Sequence, residues 1–237
     1  METSRIAELL APYFDRASPL NTRQLEQIST YIDLLIRWNS RVNLTAIRTP
    51  EEIVTRHFGE SLFAARHLFP PAESSATKAY AHSIGECPGP DAHSAPGREC
   101  FAPLLDLGSG AGFPGLPIKI WTPGTAVTLI ESNNKKVAFL REAIRALTLT
   151  DINVSATRAE DFPAQSAGTV TLRAVERFTQ ILPTATRLLC PGGRLALLIG
   201  VSQLPQAKHL RPDLVWDEPF TIPGSQATVL AIANAAW

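Results

Sequence analysis

A glycine-rich loop follows an apolar run in residues 104–118, which read LLDLGSGAGFPGLPI. Gly108, Gly110 and Gly112 occupy every second position, and Asp106 precedes the first of them by two residues. Glycine frees the backbone to turn sharply and lets a ligand approach the chain closely. The segment therefore predicts a ligand-binding loop between a strand and a helix.

Two classes of cofactor compete for this loop, a nicotinamide dinucleotide and S-adenosylmethionine. Gly110, Gly112 and Gly115 satisfy the dinucleotide pattern G-x-G-x-x-G, but that register begins two residues after the strand ends. The register that closes the strand is D-x-G-x-G-x-G, which starts at Asp106. A carboxylate there can face the ammonium of a methionyl group and would repel a pyrophosphate. S-adenosylmethionine is favoured, with the alternative that Asp106 only caps the loop by accepting backbone N–H bonds.

Two further charged residues end later apolar runs. Glu131 follows TAVTLI, where its carboxylate can accept hydrogen bonds from two ribose hydroxyls; a solvated strand end is the alternative. Arg173 lies in TVTLRAV, and an arginine near the end of such a run must emerge at a crevice or be paired. An emerging guanidinium would lie beside the cofactor, so Arg173 is the predicted catalytic residue.

Short apolar runs and helical stretches alternate after residue 103. The predicted strands are PLLDLG, TAVTLIE, INVSAT, TVTLRAV and GRLALLIG, with the helices GLPIKIW, KKVAFLREAIRAL and FTQILPTATRLL between them. LVWDEPF and ATVLAIAN are predicted to close the chain as a hairpin. This alternation predicts an α/β fold with a parallel, doubly wound sheet. Ligands bind such sheets beyond the carboxyl ends of the strands, where the predicted site residues would meet.

The rest of the chain divides into a helical extension over residues 1–71 and a segment over 72–100, before the domain at 101–237. In the extension, apolar residues recur at helical spacing, with Asn21 or Thr22 available as an N-cap. Arg56 and His57 are neighbours on a predicted helix, so their side chains diverge by about 100°. We therefore expect a salt-bridged arginine and a packed histidine, not two side chains sharing one ligand.

Ser, Ala, Gly and Pro dominate residues 72–100, which predicts a flexible insertion or linker. His82, Cys87, His93 and Cys100 have gaps that match no usual zinc pairing, so no metal is predicted. Twenty-two basic and 22 acidic residues give no support for a nucleic-acid partner. No apolar stretch approaches the roughly 20 residues that span a bilayer, and three cysteines are too few for a disulfide framework. We expect a cytoplasmic protein without a membrane partner.

Five segments, in order, resemble the ribosomal RNA small subunit methyltransferase G family: WNSRVNLTAIRTPEEIVTRHFGESL, LLDLGSGAGFPGLPIKI, IESNNKKVAFL, RAEDF and LRAVERF. The resemblance implies a Rossmann-like class I S-adenosylmethionine-dependent methyltransferase fold with an N-terminal helical extension. It also implies methylation of a guanine N7 in a decoding-region loop of 16S rRNA, on the free rRNA or in the small ribosomal subunit. The implied cofactor contacts are Gly108, Phe113, Glu131, Ala159, Glu160 and Arg173, besides the loop residues Asp106, Gly110 and Gly112.

The chain departs from the family pattern at two positions. Glu60 precedes Ser61 where an aspartate is usual, and Ile199 stands where the family commonly has a lysine. Three alternative functions therefore stay open. They are a small-molecule methyltransferase, a non-catalytic RNA-binding or ribosome-assembly factor and, as the least favoured, a dehydrogenase. Because guanine N7 carries a lone pair and no proton, its methylation needs no general base, and Arg173 would assist at O6 or at a phosphate. We further expect a monomer.

Overall fold

The computed structural model describes residues 1–14, 19–70, 103–173 and 178–237. The predicted insertion, with His82, Cys87, His93 and Cys100, lies outside the described residues. None of the described helices is long and apolar enough to cross a bilayer.

One eight-stranded sheet organises the chain after residue 103. Strands β1–β5 pair in parallel in the order β3-β2-β1-β4-β5, and β8 joins antiparallel to β5. The predicted parallel sheet is therefore confirmed. The strands are β1 (Leu104–Leu107), β2 (Val127–Ile130), β3 (Ile152–Ser155), β4 (Ala167–Arg173), β5 (Leu189–Gly200), β6 (Leu214–Trp216), β7 (Phe220–Thr221) and β8 (Thr228–Ala235).

The predicted closing hairpin is also present. Both β6 and β7 pair antiparallel with β8, which lies between them and β5. The last strand thus enters the sheet in the opposite direction to β5.

Helices cover both faces of the sheet. They are α1 (Thr3–Leu10), α2 (Thr22–Asn39), α3 (Pro50–Glu52), α4 (Glu60–Leu68), α5 (Gly115–Trp121), α6 (Asn134–Ala146), α7 (Phe178–Arg187) and α8 (Leu204–Leu210). A π-helical segment, Ile53–Gly59, joins α3 to α4, and Ala159–Asp161 forms a 3₁₀ turn after β3.

The N-terminal helices and the sheet share one hydrophobic core. Side chains alternate across a strand, so Leu104 and Leu129 face this core while Leu105 and Ile130 face a second core under α7 and α8. Helix α2 packs against both α5 and α6. The extension therefore covers one face of the sheet next to the glycine-rich loop.

Helix α2 begins where the sequence predicted. Asn21 is its N-cap, and its side chain accepts from Gln24 N at 2.9 Å while the Gln24 side chain accepts from Asn21 N at 2.9 Å. This capping box satisfies two amide N–H groups at the start of the helix. Gln24 also donates to the Ile120 carbonyl at 2.9 Å, which ties the start of α2 to α5.

Candidate cofactor and substrate site

The glycine-rich loop turns sharply at the carboxyl end of β1. Gly108, Gly110 and Gly112 have φ angles of 67°, 57° and 89°, in the left-handed region that favours glycine. The loop is fixed to β2, because Gly108 N and Ser109 N donate to the Ile130 carbonyl at 2.9 and 3.1 Å. The strand–loop–helix arrangement predicted from the sequence is confirmed.

Gly110 marks an open side of this loop. A Cβ built there would have the Gly108 carbonyl oxygen, 3.7 Å away, as its nearest neighbour. The N–H of Gly110 donates to Glu131 Oε2 at 2.9 Å. The open backbone and the carboxylate therefore lie side by side at the same edge of the sheet.

Glu131 is positioned at the end of β2 by two backbone N–H groups. Its second oxygen, Oε1, accepts from Asn133 N at 2.8 Å. An ionised carboxylate offers about four acceptor positions, so two positions remain for hydroxyl groups of a ligand. The ribose-binding role predicted for Glu131 stays a prediction that this arrangement can accommodate.

Asp106 is fully buried in β1 and has two internal partners. Its Oδ2 accepts from Gly115 N at 3.1 Å, and its Oδ1 accepts from Thr171 Oγ1 at 2.8 Å. Burial raises the pKa of Asp106 from 3.8 to about 6, although these hydrogen bonds favour the ionised form. The bond from Gly115 N is of the kind expected if Asp106 only caps the loop. A contact between Asp106 and the cofactor stays a prediction.

Gly112 faces the N-terminal extension. A Cβ there would lie 2.5 Å from the hydroxyl oxygen of Tyr31 and 2.4 Å from a methyl carbon of Leu116. Tyr31 comes from α2, is fully buried, and donates a hydrogen bond to the Ala111 carbonyl. Glycine is required at this position because α2 packs directly against the loop.

Phe113 stands at the centre of an aromatic cluster. Its ring stacks on Tyr31 with centroids 5.3 Å apart and on His57 at 4.7 Å, while Phe58 meets it edge-on at 5.2 Å. The Phe113 side chain is buried. The predicted contact of Phe113 with the cofactor stays a prediction, and its described contacts join the loop to the extension.

Arg173 lies at the carboxyl end of β4 and is held by residues of the π-helical segment and α4. Its Nη2 donates to Glu60 Oε2 and to the Arg56 carbonyl, each at 2.8 Å. Its Nη1 donates to His57 Nδ1 at 2.9 Å. Of the two outcomes expected for this arginine, emergence or pairing, the structure shows pairing.

His57 is packed, as expected, and is kept neutral. Burial lowers its pKa to about 3, and the positive charges of Arg173 and Arg56 act in the same direction. Since Nδ1 accepts from Arg173, the ring proton lies on Nε2, which is 2.7 Å from Thr45 Oγ1. Arg56 and His57 nevertheless both bind the Arg173 guanidinium, because Arg56 contributes its backbone carbonyl and not its side chain.

Ala159 and Glu160 lie in the 3₁₀ turn after β3, where Ala159 is buried and Glu160 is exposed. Arg187 fixes this turn by donating to the carbonyls of Glu160 and Phe162 at 3.1 and 2.9 Å. Their predicted contact with the cofactor stays a prediction.

Two further side chains, Ile199 and Lys119, are buried. Ile199 belongs to the core under α7 and α8, so an apolar side chain fits where a lysine is usual. Lys119, on α5, is also buried and donates to the Pro123 and Thr125 carbonyls at 2.7 and 2.6 Å. Lys119 therefore closes the turn after α5.

A cavity of about 720 Å³ opens between α1 and the loop before β8, with Glu60 in its lining. Arg5, Tyr13, Arg56 and Gly224 contribute to its lining. Among the described residues, no group of three or more His, Cys, Asp or Glu side chains could hold a metal ion.

Sequence reasoning missed Tyr31 and Glu60. Tyr31 belongs to a helical apolar stripe, where an aromatic residue predicts only core packing. Glu60 departs from the family pattern, and the sequence near it gives no sign of its partner. Their contacts with Ala111 and Arg173 join residues 80 and 113 positions apart, so no local pattern contains them.

A comparison with protein families assigns the chain. Residues 24–74 and 93–223 match the family model GidB, described as rRNA small subunit methyltransferase G. The chain belongs to the rRNA small subunit methyltransferase G family. The unmatched residues 75–92 lie inside the segment predicted as an insertion.

Relatives named ribosomal RNA small subunit methyltransferase G align over most of the chain. The protein of Chloroflexus aggregans is 36% identical over 90% of this chain and 83% of its own length. That of Roseiflexus sp. is 36% identical over 92% and 86%, and that of Xanthomonas oryzae pv. oryzae over 78% and 74%. A solved SAM-dependent methyltransferase from Aquifex aeolicus is 15% identical, covers 56% of this chain and 82% of that chain, and has a TM-score of 0.49.

Family membership decides between the two cofactors considered for the loop. The chain has the Rossmann-like class I methyltransferase fold, and its cofactor is S-adenosylmethionine. The residues present fit this group, because the open side of Gly110 adjoins a carboxylate with free acceptor positions. A dehydrogenase is excluded as the function.

Proposed function

We propose that this protein transfers a methyl group from S-adenosylmethionine to N7 of one guanosine in a decoding-region loop of 16S rRNA. Family membership supports the rRNA substrate. The observation that carries the proposal within the site is the open glycine backbone at Gly110 beside Glu131, at the sheet edge where Arg173 ends β4. A cofactor and a base can meet at such an edge.

The chain's residues would then act by binding and orientation. The loop at Gly108, Gly110 and Gly112 and the turn at Ala159 and Glu160 would hold the cofactor, and Glu131 would accept from its ribose hydroxyls. When bound, the cofactor supplies an electrophilic methyl group. Since guanine N7 has a lone pair and no proton, no residue needs to remove one from it. Asp106 and His57, two buried titratable groups of the site, are both engaged in internal hydrogen bonds, which agrees with this requirement.

Arg173 would assist at guanine O6 or at a phosphate oxygen, and not at the ring nitrogen N7. Its contacts with Glu60, His57 and the Arg56 carbonyl use three of its five N–H groups. Two N–H groups remain to donate to guanine O6 or to a phosphate oxygen. A positive charge there offsets negative charge on the substrate without competing for N7.

The decisive experiment uses small ribosomal subunits whose 16S rRNA is unmethylated, mapped by mass spectrometry after incubation with the protein and S-adenosylmethionine. We expect one methyl group on one guanosine. A substrate with 7-deazaguanine at that position should bind and stay unmethylated. A methyl group on the deaza substrate would show that the acceptor atom is not N7.

The two alternatives give different results in the same experiment. A small-molecule methyltransferase would leave the rRNA unmodified while consuming the cofactor with another acceptor. A non-catalytic assembly factor would bind rRNA and consume no cofactor. Arg173→Ala should lose methylation rate, while Arg5→Ala, an exposed position on α1, serves as its control.

We also propose that the enzyme is a cytoplasmic monomer that needs no metal, with the extension at 1–71 and the insertion at 72–100 attached to the methyltransferase domain at 101–237. The exposed large apolar side chains described are few and isolated in sequence, which supports a monomer: Ile36, Val201, Leu210, Val215 and Trp237. Light scattering during gel filtration tests whether the enzyme is a monomer. Methylation in the presence of a chelator tests whether it needs a metal. A dimer, or loss of activity with chelator, would contradict them.

A further inference from the structure

We propose that Glu60 is a positioning residue, which fixes the guanidinium of Arg173 for methyl transfer. The N-terminal extension would thereby complete the active site of the methyltransferase domain. This inference rests on the proposed function of Arg173 described above.

The contact between the two side chains is direct and buried. Glu60 Oε2 lies 2.8 Å from Arg173 Nη2, with only 6% of the Glu60 side chain and 12% of the Arg173 side chain exposed. Little solvent screens this pair, so its attraction is stronger than that of an exposed pair. The carboxylate therefore restrains the guanidinium much more than a surface partner would.

Three groups from consecutive turns of the extension converge on Arg173. The Arg56 carbonyl and the His57 ring come from the π-helical segment, and Glu60 begins α4. Phe113 places its ring 5.9 Å from the guanidinium carbon, so the cofactor loop contacts the same group. The guanidinium is thus held in one plane between the extension and the loop.

Glu60 differs in charge from the other two partners of Arg173. The His57 ring is neutral and the Arg56 carbonyl carries no net charge, so Glu60 is the anion that directly contacts Arg173 in the described structure. Buried ion pairs add little to folding stability compared with apolar residues of the same size, because both charges lose their hydration. Fixing one orientation is therefore a better explanation of this pair than stability alone.

Two variants separate a positioning role from a structural one. Glu60→Gln keeps an acceptor oxygen and removes the charge, and Glu60→Asp keeps the charge on a shorter side chain. Each is compared with the wild type and in an Arg173→Ala background, with kcat, KM and thermal melting measured for every protein. Glu8→Gln, which breaks the exposed pair between Arg5 and Glu8, is the matched control.

We expect Glu60→Gln to lower kcat about 10-fold to 100-fold with little change in KM, since a small misplacement of a positioned group has this effect. Glu60→Asp should recover part of the loss. In the Arg173→Ala background both substitutions should change kcat less than twofold, whereas Glu8→Gln should have no effect in either background. If Glu60→Gln does not fold, the kcat of Glu60→Asp, measured with Arg173 present and in the Arg173→Ala background, gives the same comparison.

Equal losses of kcat with and without Arg173 would overturn the inference, as would an unchanged kcat in the single variants. Either result leaves the proposed function intact, provided the wild type methylates rRNA. A wild type that fails to methylate rRNA would overturn the proposed function and this inference together.

Discussion

Two residues of the site have pKa values displaced in opposite senses by the same cause, which is burial. In the folded protein Asp106 holds its proton up to about pH 6, and His57 stays neutral down to about pH 3. Burial disfavours the charged form of any group, so it raises the pKa of an acid and lowers that of a base. The two groups therefore contribute to stability with opposite dependence on pH.

Asp106→Asn should remove one of these contributions. The raised pKa of Asp106 gives the wild type stability that is fully present below pH 3.8 and is lost as the pH rises through about 6. Between pH 4.5 and 7.5 the free energy of unfolding of the variant should therefore rise by about 2 kcal/mol relative to the wild type. Urea unfolding at several pH values measures this difference. Asp33→Asn, at a side chain that is 61% exposed, is the control.

His57→Asn should remove a contribution to the free energy of unfolding that has the opposite pH dependence. The lowered pKa of His57 gives stability that is present above pH 6.5 and is lost as the pH falls toward 3. On going from pH 7.5 to pH 5, the variant should gain about 2 kcal/mol relative to the wild type. Asparagine keeps an acceptor for Arg173 in place of Nδ1. A difference in unfolding free energy that stays constant with pH would mean that His57 has the same pKa in the folded and the unfolded protein; the exposed His209→Asn is the control.

At the scale of elements, helix α2 and the π-helical segment shape the site that the sheet provides. Helix α2 brings Tyr31 against the glycine loop, and the π-helical segment brings His57 against Phe113. π-Helical turns are rare and frequently occur at functional sites. The site is therefore built by both the extension and the sheet.

Tyr31→Phe should test the contact of α2 with the loop. Without the hydroxyl, the Ala111 carbonyl loses a buried donor, which costs about 1–3 kcal/mol. Affinity for S-adenosylmethionine should fall as well, because the loop is held less firmly; calorimetry and urea unfolding measure the two effects. Tyr13→Phe removes a hydroxyl that makes no hydrogen bond within the described residues, and an equal loss there would contradict the explanation.

The strands, the glycine loop and Glu131 could be predicted because local patterns encode them. Apolar runs of strand length, glycines at alternate positions and an acid at a strand end each occupy fewer than about ten residues. The partners of Arg173 could not be predicted, because they depend on how the extension packs. The burial of Lys119 was also missed, since a lysine on a short helix gives no local sign that neighbouring carbonyls will accept from it.

On the scale of the whole molecule, the described residues that flank the segment at 72–100 lie at the edge of the sheet opposite the site. The Phe69 carbonyl accepts from Trp121 Nε1 at 3.1 Å, at the end of α5, and Pro103 directly precedes β1. Both positions are at the amino edge of the parallel strands, whereas the glycine loop follows their carboxyl ends. The chain thus leaves and re-enters the described structure opposite the cofactor loop.

Replacing most of residues 72–100 by a short Gly/Ser linker should leave cofactor affinity and the melting temperature unchanged. Loop length affects closure entropy weakly, by about 0.6 kcal/mol per doubling, and the sequence of this segment has no periodic apolar residues. A linker of the original length and scrambled sequence is the control. Loss of folding in both variants would show that the segment contributes to the core, and stoichiometric zinc in the pure protein would show that its His and Cys residues bind metal.

The core shared by the extension and the sheet has a consequence during translation. Helix α2 leaves the ribosome before α5 and α6, against which it packs, whereas in the folded protein Ile28, Ile32 and Leu35 are fully buried. At about 5–20 residues per second, roughly 5–20 s pass between the synthesis of the end of α2 and that of the end of α6. During this time the nascent extension carries an uncovered apolar stripe. Until α5 and α6 have been synthesised, this apolar face of α2 is therefore open to contact with other molecules at the ribosomal exit.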